Sequence, residues 1–232
     1  MRGLLAVRHA LLIVGLLLPV TTGGQTPDAA TGSITGRVKL SRVRGTPLPS
    51  NAYSPRAVAG QAPPPSPEIK NVVVYLTGVS YQGELPTARR QIVQEGETFV
   101  PRVLAITRGS TVSFPNADAI FHNVFSLSSA STFNLGRYPK GESRAREFMK
   151  PGLVKVFCQI HSHMSAAILV LAHPYFAVPD GADGAFTISN IPPGTHTIVG
   201  WHERVGERAA TIQVQAGKTA SIEISLPVED GP

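Results

Sequence analysis

Cys158-Gln159-Ile160-His161-Ser162-His163-Met164 places a thiol, two imidazoles and a thioether within one short stretch. Leu153–Cys158 (LVKVFC) leads into it and Ser165–Ala172 (SAAILVLA) leads out. Both runs are short and apolar and are bounded by polar or turn residues, so both read as strands. A loop joining neighbouring strands has its ends about 5 Å apart. Several donor side chains can therefore converge from a few residues. Upstream, Ala119-Ile120-Phe121-His122-Asn123-Val124-Phe125 offers a further imidazole at the head of another predicted strand, Phe121–Leu127.

Working outward, the pattern stays β. Gln91–Gln94, Thr98–Ile106 and Thr111–Phe114 read as short strands, Ala145–Phe148 is short and mixed, and Gly136 and Pro139 mark Phe133–Lys140 as a loop. Ser33–Leu40 and Asn71–Thr77 precede this block; Ala185–Ile188, Thr195–His202, Thr211–Val214 and Ala220–Leu226 follow it. Residues 42–69 hold seven prolines and read as an irregular excursion, and 79–90 as a polar connector with one helical turn. With 22 Gly, 20 Pro and 16% charged residues, the composition excludes a helical bundle or coiled coil. A hydrophobic share of 42% excludes a disordered chain. The fold class is all-β.

The N-terminus predicts export. Arg2 and Arg8 form a positive start, and Ala10–Val20 is apolar but too short to span a bilayer, which takes about 20 residues. Thr21-Thr22-Gly23-Gly24 supplies small residues for cleavage, so 1–24 is expected to be a signal peptide and the protein periplasmic or extracellular. No later segment reads as transmembrane. The formal charge of +6 falls to near +4 beyond the signal, with no basic stripe interleaved with aromatics, which excludes nucleic acid as a partner. Exported proteins usually use cysteine in disulfide pairs, and this chain has Cys158 alone. A lone exported Cys is a buried bystander, an intermolecular link or a ligand.

Taken singly, Cys158 reads as a structural thiol and Met164 as core packing. Taken with His122 and His161 they form a mixed set of two imidazoles, a thiolate and a thioether, which suits one copper ion cycling between Cu(I) and Cu(II). Zinc is the next metal, since Cys plus two His binds it, but a thioether is a poor zinc ligand. His163 leaves the axial position open between itself and Met164.

Residues 90–172 resemble a cupredoxin of the plastocyanin/amicyanin type. The resemblance rests on Cys158, His161 and Met164 at the short-loop spacing and on His122-Asn123 upstream. It implies a Greek-key β-sandwich with His122, Cys158 and His161 as equatorial ligands and Met164 as the axial one. Asn123 would tie the two ligand loops together, and Phe157 stands where relatives often carry an aromatic. Ser162-His163 departs from the Pro that often follows the second His of the short loop. The resemblance also argues against an enzyme. Multicopper oxidases need eight further His ligands and the chain has seven in all; copper nitrite reductases use a His next to the Cys, where this chain has Phe157 and Gln159.

Asp183-Gly184-Ala185-Phe186-Thr187-Ile188 and Ile191-Pro192-Pro193-Gly194-Thr195-His196-Thr197-Ile198 resemble a carboxypeptidase-regulatory-like (transthyretin-like) β-sandwich. The expected architecture is a copper domain, 90–172, inserted into a discontinuous second sandwich made of 32–80 and 174–228. His202-Glu203 reads as an exposed strand end. The expected function is single-electron transfer between redox protein partners, with a patch around Ser162, His163, Pro115 and Ala119 docking them. The alternatives are a copper-handling protein and a cell-envelope binding module with a structural metal site.

Overall fold

The structure is a computed structural model that describes residues 30–41, 68–179 and 183–227. The expected signal peptide and most of the proline-rich excursion lie outside the described residues. The first strands are β1 (Gly32–Leu40) and, after a 3-10 turn at Glu68–Asn71, β2 (Val72–Thr77). Next come β3 (Arg89–Gln91), β4 (Val93–Glu95), β5 (Thr98–Val100), β6 (Val103–Thr107) and β7 (Ser110–Pro115). They are followed by β8 (His122–Ser128), β9 (Ser131–Tyr138), β10 (Ser143–Phe148), β11 (Gly152–Phe157) and β12 (Ser165–Leu171). The chain ends with β13 (Phe176–Ala177), β14 (Ala185–Ile191), β15 (Gly194–His202), β16 (Gly206–Val214) and β17 (Thr219–Leu226).

The side-chain alternation of two strands builds the whole stack. In β2, Val72, Val74 and Leu76 enter one core while Val73 and Tyr75 enter another. In β12, Ala166, Ile168 and Val170 face one core while Ala167, Leu169 and Leu171 face another. Both strands are apolar at nearly every position because both faces are covered, as in any doubly buried strand. The sheet β13-β2-β15-β16 therefore packs on β14-β1-β17 on one side, and on β6-β12-β11-β8-β9 on the other. The last of these in turn packs on β10-β7-β3. Among the described residues the result is four stacked sheets and three apolar cores, with β4-β5 as a separate two-stranded ribbon.

Strands from before and after residues 90–172 pair with one another. β1 runs antiparallel to β14 and parallel to β17. β2 lies between β13 and β15.

Several local expectations need correction. Phe133–Lys140 is not a loop: β9 pairs with β8 across Ser131–Tyr138. Gly136 (φ 72°) sits where the register slips between Asn123 and Phe125, so it makes a bulge within the strand rather than ending it. Residues 79–90 hold no helical turn; their end is β3, parallel to β7. Thr98–Ile106 divides at Pro101-Arg102 into β5 and β6, which join different sheets.

His202 is not an exposed strand end. It is 1% exposed, with Nε2 donating to Glu68 Oε2 at 3.0 Å. The Arg204 N–H donates to its Nδ1 at 3.2 Å, which leaves the ring proton on Nε2. Asn71 and Arg204 also donate to the same carboxylate, both at 3.1 Å. The His202 hydrogen bond, opposed by burial and aided by Asn71 and Arg204, holds Glu68 down at about 2. A depressed carboxylate stabilises the fold above its unfolded pKa near 4.5, and that contribution disappears as pH falls toward 2. Glu68→Gln is expected to cost on the order of 2–3 kcal/mol at neutral pH. The gap to the parent should close by about pH 2 in denaturant melts recorded across that range.

Candidate metal centre

The pairing of β11 with both β8 and β12 decides where the donors meet. Phe157 faces Phe125 on one side and Ser165 on the other, so the 158–164 loop leaves the sheet beside the head of β8, where His122 begins. The loop closes on itself: the Cys158 N–H donates to the Met164 carbonyl at 3.3 Å and the Met164 N–H to the His161 carbonyl at 3.0 Å.

His122, Cys158 and His161 form a three-donor cluster whose ligand atoms all lie within 4.8 Å of one another. His122 Nδ1 is 3.1 Å from His161 Nδ1, and Cys158 Sγ is 4.0 Å from the first and 3.9 Å from the second. A triangle of those sides has its centre about 2.1 Å from each corner, close to metal–imidazole and metal–thiolate bond lengths of about 2.0–2.3 Å. The donor set thus fits a single small transition-metal ion without rearrangement. Met164 is 1% exposed and shares an apolar cluster with Cys158, Val156 and Tyr138.

The electrostatics favour a ligating state. Burial pushes the Cys158 thiol up, but hydrogen bonds from His122 and from the backbone of Asn123, His161 and Ile160 outweigh it and hold the group at about 6. A thiolate is therefore present at neutral pH, the form that binds metals. Burial pushes His122 down, and its bonds to Cys158 and Asp118 raise it overall.

The other expected residues divide. Asn123 bridges the loops: its Oδ1 accepts the Gln159 N–H at 3.2 Å, and its Nδ2 donates to Asn134 Oδ1 at 2.8 Å. Phe157 stacks obliquely on Phe125, with centroids 5.9 Å apart. His163 turns to Glu97, Nε2 to Oε2 3.5 Å, and lies outside the donor triangle. Among the remaining described histidines, His196 donates to the Pro192 carbonyl, His173 stacks on Tyr175, and His202 is held by Glu68.

One contact of the site escaped the sequence reading. Asp118 Oδ2 lies 2.8 Å from His122 Nε2. The signal was an acid four positions before the histidine, but its meaning depends on a turn more than twenty residues upstream. His161 is the half-buried donor, the others being buried. Beside the donors in the chain, Ile120, Phe121 and Ile160 are exposed apolar side chains.

Fold and site together define an all-β protein with a buried cysteine–histidine geometry suited to one metal ion. Solved structures resemble part of it. A Cu-containing nitrite reductase (NirK) from Thermus scotoductus SA-01 is 27% identical over 41% of this chain and 24% of that one, with a TM-score of 0.34. The chain thus spans about a quarter of that enzyme's length. A purple cupredoxin from Nitrosopumilus maritimus is 24% identical over 35% of this chain and 98% of that one, TM-score 0.32. A reduced amicyanin variant is 19% identical over 35% and 80%, TM-score 0.33. Neither a protein-family model nor a curated protein sequence matches the chain.

Proposed function

We propose that this chain is an exported type-1 copper protein that passes single electrons between redox protein partners. The observation that carries the proposal is the His122–Cys158–His161 triangle, and the lowered pKa of the Cys158 thiol supports it. Copper held there supplies a one-electron couple. Met164, buried in the cluster with Cys158, would supply the further sulfur donor; the engagement of His163 with Glu97 favours it over His163. Buried His122 and Cys158 keep solvent from the ion, and half-buried His161 gives electrons an exit. The exposed apolar side chains of Ile120, Phe121 and Ile160, beside the donors in the chain, would give a partner surface on which to exclude water. The commitment of His173, His196 and His202 to other contacts supports a carrier rather than an enzyme with a second copper.

The strand pairings across residues 90–172 support the inserted arrangement, with 32–80 and 174–228 as one carboxypeptidase-regulatory-like sandwich that carries the copper domain. The proposed location is periplasmic or extracellular, supported by the signal-like composition of residues 1–24.

The test is to add Cu(II) to the purified chain and record its visible absorption and electron paramagnetic resonance spectra. The expected result is one equivalent bound, with an intense thiolate-to-copper band and narrow copper hyperfine splitting. A colourless protein, or the signal of an ordinary square-planar copper, would overturn the proposal and favour a copper-handling role.

A further inference from the structure

His122 has two ring nitrogens and the structure commits both. Nδ1 faces Cys158 Sγ and His161 Nδ1. Nε2 lies 2.8 Å from Asp118 Oδ2. A carboxylate can only accept here, so Nε2 must carry a proton, and once the imidazole is neutral the lone pair that a metal needs is left on Nδ1. Asp118 is itself held on all sides. Its Oδ1 accepts the Gly96 N–H at 2.7 Å, and its Oδ2 accepts the Glu97 N–H at 2.9 Å. Its own N–H donates to Asn116 Oδ1 at 2.9 Å.

Those two consecutive N–H groups point the same way because of the turn that joins β4 to β5. Gly96 (φ 59°) and Glu97 (φ 53°) are both left-handed, as a two-residue hairpin of the mirror-image type requires. Asn or Gly would suit the second position better than Glu, whose side chain disfavours that conformation. Glu97 nevertheless stands there, and its carboxylate reaches His163 in the cysteine loop. The turn therefore touches both ligand loops, one through Asp118 and the other through His163.

We propose that Asp118, clasped by the Gly96–Glu97 turn, is a positioning residue of the metal centre that fixes the ligating tautomer of His122 and places a negative charge behind it. The proposal rests on the copper reading of the site. A charge in line with an imidazole ligand strengthens its donation and favours the higher oxidation state of the ion. Asp118 therefore holds the reduction potential below the value it would have with a neutral residue.

The test uses the full chain in two forms. In the metal-free protein, long-range proton–nitrogen NMR reports the His122 tautomer. At a pH high enough for His122 to be neutral, the parent is expected to show Nε2–H alone, and Asp118→Ala a mixture of tautomers. In the copper-loaded protein, Asp118→Asn keeps the shape and removes the charge. Its Cu(II) affinity, measured by chelator competition, is expected to fall at least tenfold further than its Cu(I) affinity. That raises the midpoint potential by about 59 mV per tenfold while the visible band stays. Equal loss of both affinities with an unchanged potential would mean a structural role only and would overturn the proposal. So would a mixed tautomer in the parent. A parent chain that takes up no copper would overturn the copper reading, and with it the claim on potential, while the NMR result still decides the tautomer.

Discussion

Cys158→Ser is expected to abolish the visible band of the copper-loaded protein and to weaken Cu(I) binding by more than about 100-fold, beyond the usual cost of losing an outer hydrogen bond to a metal site. The argument is chemical and local. Serine matches cysteine in shape, so the buried loop closed by Met164 should hold its form. What changes is charge and softness. Cys158 is held at about 6 by His122 and nearby backbone N–H groups that outweigh burial, so it offers a thiolate at neutral pH. A serine hydroxyl stays protonated there and is a hard donor that Cu(I) does not favour. The same pKa sets a pH dependence. In the parent protein the thiol proton competes with copper mainly below about pH 6, where it should lower affinity by up to about tenfold per unit, in addition to the proton that His122 must lose. That slope should be shallower in Cys158→Ser. Chelator competition at pH 5, 6 and 7, with spectra of both proteins, reads the result. An intense band that survives in the serine variant would rule out thiolate ligation.

The cysteine loop was legible because all its donors are local and their types are unusual together. The two doubly buried strands were legible as strands, because NVVVYLT and SAAILVLA are short apolar runs, though their covering on both faces was not read from them. What covers them was not legible, since nothing in a strand's own pattern says which other sheet it meets. β9 was hidden by Gly136 and Pro139, which read as breakers, although the glycine serves a bulge and the proline merely follows the last residue of the strand. Asp118 and His202 were hidden for one physical cause. Their partners are the backbone N–H groups of a distant turn and the carboxylate of Glu68, 134 residues away from His202. Side-chain patterns record burial faces and local spacing; they do not record which distant donor satisfies a buried acceptor.

Trp201→Ala should reveal how far the metal-bearing layers depend on the others. Trp201 is the chain's single tryptophan and is 6% exposed. It lies in the core between the two middle sheets, with Val73, Val103, Leu169 and Leu171. Truncating a buried tryptophan costs about 3–5 kcal/mol, and the many strand neighbours here limit collapse into the cavity. The nearby Arg102–Glu203 pair, at 3.1 Å, is solvent-accessible and contributes less than about 1 kcal/mol. Apolar packing must therefore supply most of the coupling between the sheets. The parent is expected to unfold in one calorimetric transition, because the middle core belongs to both halves. Trp201→Ala should lower that transition by the stated amount or split it in two. The copper spectrum of the folded variant should not change. Ala166, Ile168 and Val170 face the Cys158 cluster from the opposite side of β12, and the sheet stands between Trp201 and the donors. Two transitions in the parent would show that the halves fold independently; an altered copper spectrum in the variant would show that the middle core shapes the site as well as supporting it.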